Sequence, residues 1–326
     1  MMGDLKKEIA AAVAEDLAAI EKALVANLTP ELDLVRKIAG HTLFSGGKRL
    51  RPLLCVLMHR ALGGRDAIVT DVAGIFEFLH AATLIHDDVV DEAEVRRGRA
   101  ASHRLFGAAE AVLTGDFLLA RSLNLAAKTG NPEIIAVIAN ITEQMAQGEI
   151  EQLRNKGDLG LSEAAYDRVI ERKTAVLIEG SCKTGALLAN AGPERVQAAA
   201  RYGWELGMAF QMADDLLDYT EDESSLGKRP GADLREGKAT LPLICALREA
   251  DSADRAFLES VAGTDFANED FMRVKAVVHA AGGIAFTRKR AERHVDAAQS
   301  ALDLLAFGPE RKLLEMLASY ALVRKS

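Results

Sequence analysis

The stretch HAATLIHDDVVD, residues 80–91, places two adjacent aspartates and a third one turn later at the end of an apolar, helix-like run. At about 100° per residue, Asp88 lies about 100° around the helix axis from Asp87, and Asp91 about 40°, so the three carboxylates share one face. Like charges this close destabilise an isolated helix, as do anions near its C-terminus. The pattern therefore predicts that positive charge compensates this cluster.

The same motif recurs in FQMADDLLD, residues 210–218, where Asp214, Asp215 and Asp218 repeat the spacing. One such cluster, taken alone, is typical of a solvated acidic surface. Two clusters that each end an apolar run instead favour facing carboxylates that line a cavity. Mg²⁺ takes one or two carboxylates together with waters and phosphate oxygens, so we expect Mg²⁺ to arrive with a phosphorylated ligand.

Basic residues accompany both acidic motifs. Arginine binds phosphate oxygens through a fork of donors, and lysine supplies a point charge. Each cation taken singly is also compatible with an ordinary surface position, but an acidic protein that binds a polyanion has to concentrate positive charge locally. The candidates are Lys48, Arg49, Arg51, Arg96, Arg97, Arg99, Lys173, Lys228 and Lys238.

The composition defines the class of protein. Of the 326 residues, 49% are hydrophobic and only 7 are proline, and the formal net charge is -8. Alanine- and leucine-rich stretches favour helix, and the negative charge argues against a nucleic-acid partner. Three widely separated cysteines indicate reduced thiols of a cytoplasmic protein rather than a disulfide framework or a zinc site. No apolar run reaches about 18 residues, so we expect no transmembrane segment.

Start and stop signals divide the chain into long helices. We predict helices over residues 4–26, from Thr29-Pro30 to about 43, from Pro52, over 67–92, from Ser162 to about 190 and from Pro193 to about 219, and a loop over 221–238. No linker is rich enough to separate two domains. The sequence therefore predicts an all-α fold, with a single domain over residues 1–326 built as one large bundle of long helices.

Taken together, the motifs resemble those of the trans-type polyprenyl diphosphate synthases of the isoprenoid synthase family. The resemblance is carried, in the family's order, by GGKRLRP (46–52), HAATLIHDDVVD (80–91), RRGRAASH (96–103), GDFLLARS (115–122), KTA (173–175), FQMADDLLD (210–218) and GKRPGADLREGKATLP (227–242). Either acidic motif alone would be weakly specific, whereas the ordered set is highly specific. It implies the isoprenoid synthase type I fold, in which long antiparallel helices surround a central cavity, usually in a homodimer.

The resemblance also implies a reaction and a set of roles. The family condenses isopentenyl diphosphate head to tail onto an allylic diphosphate, here farnesyl or geranylgeranyl diphosphate. Magnesium on the allylic diphosphate is expected to be held by Asp87, Asp88, Asp91, Asp214 and Asp218, with Asp215 in support. The expected catalytic residues are Lys173, Thr174, Gln211 and Lys238. Thr174 and Gln211 would face the reacting carbons. The allylic diphosphate would contact Arg96, Lys173 and Lys238, with Lys228 nearby, and isopentenyl diphosphate would contact Lys48, Arg51, His80 and Arg97.

The chemistry accounts for these residue types. Breaking the allylic C–O bond creates a carbocation and a diphosphate leaving group. Magnesium and arginine stabilise the charge that grows on the leaving oxygens, and therefore stabilise the transition state more than the ground state. The second substrate has to wait within about 3.5 Å of the cation. Water has to be excluded, because it would trap the cation as an alcohol. His80 also fits a buried, hydrogen-bonded histidine without a substrate.

Product length is predicted from the residues before the first acidic motif. In this family, bulky residues four and five positions before the first aspartate stop chain growth early. Here Thr83 and Ala82 occupy those positions, preceded by Ala81, and all three are small. We therefore predict an octaprenyl to decaprenyl product, a quinone side-chain precursor released with transient membrane contact. Small residues also suit close helix packing, and the tunnel floor could lie deeper, at Phe76, Leu119, Leu123 or Met145.

Three alternatives stay open at this point. A shorter-chain geranylgeranyl diphosphate synthase would carry the same motifs. A class I terpene cyclase also uses DDxxD, but its second metal motif is usually an Asn/Ser/Glu pattern, and Lys48, Arg51 and Arg97 would serve no substrate of a cyclase. A regulatory subunit without activity would bind diphosphates or a partner synthase, although the intact aspartates of both motifs argue against it.

Overall fold

The computed structural model describes residues 2–220 and 231–323, and the predicted all-α class is confirmed. The helices up to residue 128 are α1 (Met2–Ala12), α2 (Ala14–Asn27), α3 (Asp33–Leu43), α4 (Leu50–Ala61), α5 (Val69–Val90), α6 (Ser102–Phe106) and α7 (Ala108–Lys128). The next are α8 (Pro132–Arg154), α9 (Glu163–Ile170), a π-helical turn (Glu171–Ala175), α10 (Val176–Leu188) and α11 (Pro193–Thr220). The last are α12 (Ala232–Arg235), α13 (Leu241–Glu249), α14 (Ser252–Val261), α15 (Asn268–Ala280), α16 (Gly283–Ala301), a 3₁₀ turn (Leu302–Leu304) and α17 (Pro309–Val323).

The chain divides into two compact units, each assembled from three stretches of sequence. Unit 1 consists of Met1–Thr142, Leu177–Ala200 and Leu302–Met316. Unit 2 consists of Glu143–Val176, Arg201–Ala301 and Leu317–Ser326. The expectation of a single domain over residues 1–326 stays a prediction.

In unit 1, the core is organised by α5. This helix packs against α2, α4 and α7. Its residues 72–79 are all buried, and Phe76 and Phe78 are among the largest side chains with no exposure. A helix that is apolar on every side has to be surrounded by other helices. Burial of this segment fixes the end of α5, where the first acidic motif lies.

In unit 2, the core forms around the second half of α11 and the C-terminal helices. The helix α13 packs against α9, α14, α15 and α16. One cluster of buried side chains joins Tyr166 of α9 to Met208 and Met212 of α11 and to Leu243 of α13. This packing holds α9 and the π-helical turn against α11, and so sets the position of the second acidic motif.

Several predicted boundaries are wrong in detail. Residues 4–26 form two helices, because Val13 leaves the helical conformation at φ -107° and ψ 6°. The helix expected from Thr29-Pro30 starts at Asp33 instead, and the carbonyl of Pro30 accepts a hydrogen bond from Arg36 Nη2 at 3.2 Å. The start at Ser162 is confirmed, since its hydroxyl accepts the N–H of Ala165.

The other predicted helices agree within a few residues, with two exceptions. The helix expected from Ser162 to about 190 is interrupted by the π-helical turn Glu171–Ala175. Of the predicted loop 221–238, residues 221–230 lie outside the described residues. The remainder contains α12, a single helical turn, so the loop prediction is wrong there.

A small hairpin follows α5. Strands β1 (Val95–Arg96) and β2 (Arg99–Ala100) pair antiparallel, and they form the one sheet in the described part of the chain. Its two turn residues, Arg97 and Gly98, have φ values of 52° and 73°. Positive φ at both central residues is the signature of a type I′ turn, whose twist matches that of the paired strands. Among the helices of residues 2–220 and 231–323, none combines the length and apolar character needed to cross a bilayer.

Candidate active site

The three aspartates of the first acidic motif differ in burial. Asp88 is 2% exposed, and its Oδ1 accepts hydrogen bonds from Arg96 Nε at 2.7 Å and Nη2 at 2.6 Å. Asp87 is half-buried and Asp91 is exposed at the end of α5. Arg96 is the compensating charge that the sequence predicts. Asp88 therefore holds Arg96, while Asp87 and Asp91 present their carboxylates toward the surface.

The glycine-rich segment 46–52 is anchored by Arg49. This residue is 5% exposed and has a φ of 47°. Its guanidinium donates from Nη1 to Glu77 Oε1 at 2.8 Å, from Nε to Glu21 Oε1 at 2.5 Å and from Nη2 to the Leu43 carbonyl at 2.7 Å. Burial lowers the pKa of Arg49, but the bonds and charges of the two glutamates outweigh burial and raise it. Arg49 thus serves the fold of this loop.

Residues expected to bind isopentenyl diphosphate gather in unit 1. Burial lowers the pKa of His80 well below its usual value, and the charges of Arg51, Arg97 and Arg96 lower it further. Arg97, in the turn of the hairpin, donates a hydrogen bond to the carbonyl of Gly46, two residues before Lys48. His80 is therefore neutral at physiological pH, and the positive potential around it suits a diphosphate.

The second acidic motif differs from the first, because two of its three aspartates are buried. Asp214 is exposed on α11, whereas Asp215 is 3% exposed and Asp218 is 1% exposed. Asp218 Oδ2 accepts the backbone N–H of Asp233 at 3.3 Å. Asp233, on α12, is an acid that the sequence analysis missed, because it lies in a polar stretch that resembles a loop. A fourth acid beside the three of this motif therefore adds to its negative potential.

Both oxygens of Asp215 are occupied by neutral donors. Tyr166 donates its hydroxyl to Oδ2 at 2.6 Å, and Gln211 donates from Nε2 to Oδ1 at 2.8 Å. Thr174 in turn donates to Gln211 Oε1 at 2.9 Å. Burial raises the pKa of Asp215 to about 8, with the charge of Asp233 adding to the rise and the two hydrogen bonds opposing it. The structure thus joins Thr174, Gln211 and Asp215 in one chain of hydrogen bonds.

The π-helical turn carries Lys173 and Thr174 between two glycines of unit 2. A Cβ added at Gly207 of α11 would lie 2.5 Å from Ala175 Cα, and one added at Gly148 of α8 would lie 2.8 Å from Arg172 Cβ. Only glycine permits backbones to approach this closely. Single π-helical turns occur often at functional sites. Here the turn brings Thr174 to Gln211.

The two predicted catalytic lysines in the described residues both have acidic neighbours. Lys173 forms an ion pair with Glu149 and a hydrogen bond with Gln152 Oε1, two residues of α8 that the sequence analysis missed. Lys238 Nζ lies 2.6 Å from Glu236 Oε2. Lys228 lies outside the described residues. Both lysines therefore lie beside carboxylates of unit 2.

The residues expected to set product length lie in the last turns of α5. Ala81 is 3% exposed and Ala82 has no exposure, while Thr83 is half-buried and donates its hydroxyl to the His80 carbonyl at 2.9 Å. The candidates for a deeper tunnel floor differ in their exposure. Phe76 is fully buried, but Leu123 is 41% exposed. The side chains of Ala81 and Ala82 therefore face packed protein, which fits close helix packing, and the half-buried Thr83 is the one of the three with appreciable exposed surface.

The acidic residues suit a hard cation that is only partly held by protein. Among the described residues, no three His, Cys, Asp or Glu side chains stand close enough to hold a metal ion by themselves. Mg²⁺ needs only one or two carboxylates when waters and phosphate oxygens complete its shell. Asp87 with Asp91, one turn apart in unit 1, supply such oxygen donors, and the exposed Asp214 supplies another in unit 2. The donors of each motif therefore suit Mg²⁺ that is shared with a diphosphate.

Comparisons with known proteins decide the family. The family model described as polyprenyl synthetase matches residues 32–280. The chain belongs to the polyprenyl synthetase family. Octaprenyl diphosphate synthase of Escherichia coli (strain K12) is 37% identical over 311 residues, which cover 95% of this chain and 96% of that protein. The chain is therefore a prenyltransferase, and the predicted condensation of isopentenyl diphosphate with an allylic diphosphate is confirmed.

Solved structures of the same family support the fold. A polyprenyl synthase from Caulobacter crescentus CB15, complexed with calcium and isoprenyl diphosphate, has a TM-score of 0.92 and is 36% identical, with 98% of both chains covered. A decaprenyl diphosphate synthase from Rhodobacter capsulatus has a TM-score of 0.91 and is 38% identical, covering 97% of this chain and 98% of that one. The isoprenoid synthase fold predicted from the motifs is thus confirmed.

Proposed function

We propose that this prenyltransferase makes a long all-trans polyprenyl diphosphate, octaprenyl to decaprenyl, as a quinone side-chain precursor. Its primer is farnesyl or geranylgeranyl diphosphate. The observation that carries the proposal is the small size of Ala81, Ala82 and Thr83 in α5, where a bulky side chain would block a growing chain. The names of the Escherichia coli and Rhodobacter capsulatus relatives, octaprenyl and decaprenyl diphosphate synthase, support it. The single-domain organisation and the cytoplasmic location stay predictions.

Magnesium, when bound, neutralises charge that develops on the allylic diphosphate as it leaves. Asp87 and Asp91 in unit 1 and Asp214 in unit 2 would hold it, because they are the least buried carboxylates of the two motifs. Asp88 instead fixes Arg96, whose remaining N–H donors would bind the same diphosphate. Whether the two motifs face one another across a cavity stays a prediction.

The second substrate is bound by the basic residues of unit 1. Lys48, Arg51 and Arg97 attract the diphosphate of isopentenyl diphosphate, and neutral His80 donates a hydrogen bond to it. The Arg49 anchor holds the loop that carries Lys48 and Arg51. Preorganised donors of this kind need no rearrangement when the substrate arrives.

Incubation of the purified chain with isopentenyl diphosphate, farnesyl diphosphate and Mg²⁺ tests the proposal. We expect products of eight to ten isoprene units by chromatography and no turnover when Mg²⁺ is removed with a chelator. A product of four units would identify a shorter-chain synthase. A hydrocarbon formed from the allylic diphosphate alone would identify a cyclase, and no turnover at saturating Mg²⁺ would support a regulatory subunit.

Replacing Ala82 by phenylalanine is expected to shorten the product. The added ring needs room at a position that has no exposure, and it would obstruct the path that we propose for the growing chain below the first acidic motif. Product sizes from wild type and variant, measured at equal conversion, provide the check. Phe76→Ala is the matched test of a deeper floor. An unchanged product length in Ala82→Phe would remove these residues from the tunnel.

We also propose that the chain forms a homodimer through α7. Its exposed side carries three large apolar side chains, Val112, Leu113 and Leu123, which are 36%, 66% and 41% exposed. Several exposed apolar side chains on one helix are typical of an interaction surface. Leu113→Arg is expected to convert a dimer to a monomer in light scattering. Met272→Arg, at an equally exposed residue of α15, is the control, and a Leu113→Arg dimer would exclude this face.

A further inference from the structure

The hydrogen bond between the buried side chains of Tyr166 and Asp215 is not explained by metal binding at the acidic motif. Asp215 belongs to the DDLLD motif, but Tyr166 and Gln211 occupy both of its oxygens. A carboxylate that is 3% exposed and doubly engaged by protein donors presents little of itself to an incoming cation. Its hydrogen-bond partners, in contrast, lead directly to Thr174.

The order of donors and acceptors along this chain follows from its hydrogen bonds. Tyr166 donates to Oδ2 of Asp215 and Gln211 donates to Oδ1 from Nε2, so the NH₂ group of the Gln211 amide faces Asp215. Gln211 Oε1 then faces Thr174, 2.9 Å away, and an amide oxygen can only accept. The hydroxyl proton of Thr174 is thereby committed to Gln211. Thr174 can offer only its oxygen lone pairs to a third group.

We propose that Tyr166 and Asp215 are positioning residues that act through Gln211 to lock Thr174 as a hydrogen-bond acceptor facing the reacting allylic group. This rests on the proposed placement of Thr174 beside the reacting carbons. An oxygen that presents lone pairs stabilises a developing carbocation, whereas a hydroxyl proton pointed at the same carbon would destabilise it. Fixing the amide of Gln211 selects the first arrangement before the substrate binds.

Tyr166 is held firmly enough for this role. It is 3% exposed and lies in the same core cluster as Met208 and Met212 of α11, the helix that carries Gln211 and Asp215. Burial raises the pKa of its hydroxyl well above the usual value, and the charge of Asp215 raises it further. Tyr166 therefore remains a donor at all physiological pH values.

The experiment compares Tyr166→Phe, Thr174→Val and the double variant. We expect kcat to fall about tenfold in Tyr166→Phe and further in Thr174→Val, within the roughly hundredfold loss that misplacement of reacting groups produces. The double variant should be no slower than Thr174→Val, because Tyr166 acts only through Thr174. The KM for isopentenyl diphosphate should change less than twofold. Multiplied losses in the double variant, or an unchanged kcat in Tyr166→Phe, would overturn the proposal.

A second measurement separates positioning from metal binding and does not need turnover. The shift in Tm caused by MgCl₂ plus inorganic pyrophosphate is recorded for Asp215→Asn and for Asp214→Asn. We expect Asp215→Asn to keep the shift of the wild type and Asp214→Asn to lose most of it. Loss of the shift in Asp215→Asn would make Asp215 a metal ligand and refute its positioning role. Wild-type protein that makes no polyprenyl product would instead refute the proposed function.

Discussion

Arg49→Met is expected to lower the free energy of unfolding by about 3–5 kcal/mol, the cost of leaving a buried charge without its partner. Glu77 is 5% exposed and loses the guanidinium that lies 2.8 Å from its Oε1. The carbonyl of Leu43 loses its donor as well. The pair with Glu21, which is 43% exposed, adds little, because solvent screens it. Urea-induced unfolding at pH 7 measures the loss.

The double variant Arg49→Met, Glu77→Met is the control for this prediction. Replacing both members of a buried ion pair by apolar side chains of similar size is often neutral or stabilising. We therefore expect the second substitution to restore most of the lost stability. A loss below about 1 kcal/mol in Arg49→Met would contradict the anchoring role. So would a double variant that is less stable than Arg49→Met.

The residue types of the site can be predicted from the sequence. Which of these residues are buried against other side chains cannot. The spacing of Asp87, Asp88 and Asp91 predicts one acidic face and a compensating cation, and Arg96 supplies that cation. Spacing alone treats the middle aspartate like its neighbours. Which aspartate is buried depends on a partner elsewhere in the chain, Arg96 for Asp88 and Tyr166 for Asp215. Such partners are set by tertiary packing, which local periodicity does not encode.

The loop GGKRLRP is a second case in which tertiary contacts, and not the local sequence, decide the role of a residue. The sequence offers Lys48, Arg49 and Arg51 as equivalent cations, but the left-handed backbone at Arg49 turns its side chain inward to Glu77. Glycines preceding it predict a turn without saying which cation the turn buries. The π-helical turn could not be predicted from the sequence either, because residues 163–188 carry a continuous helical pattern. Only the close approach of Gly148 and Gly207 marks it.

Gly207→Ala is expected to lower kcat about a hundredfold. The added methyl group would lie 2.5 Å from Ala175 Cα and 2.9 Å from its Cβ, so α11 has to move away from the π-helical turn. Gln211 is one turn beyond Gly207, and Thr174 precedes Ala175, so the movement stretches the hydrogen bond between them. A displacement of about 1 Å near reacting groups costs about a hundredfold in rate. Steady-state kinetics with farnesyl and isopentenyl diphosphate measure it.

Gly40→Ala is the matched control, because Gly40 also lies within a helix but its new methyl group would meet only the Phe44 ring, at 3.6 Å. Both substitutions gain up to about 1 kcal/mol from helix propensity. Gly40→Ala should therefore keep wild-type kcat and gain stability, while crowding in Gly207→Ala costs about 1–3 kcal/mol. A folded Gly207→Ala protein with wild-type kcat would mean that contact between α11 and the π-helical turn does not position Thr174. The chain of hydrogen bonds from Tyr166 would then end at Gln211 without reaching the substrate.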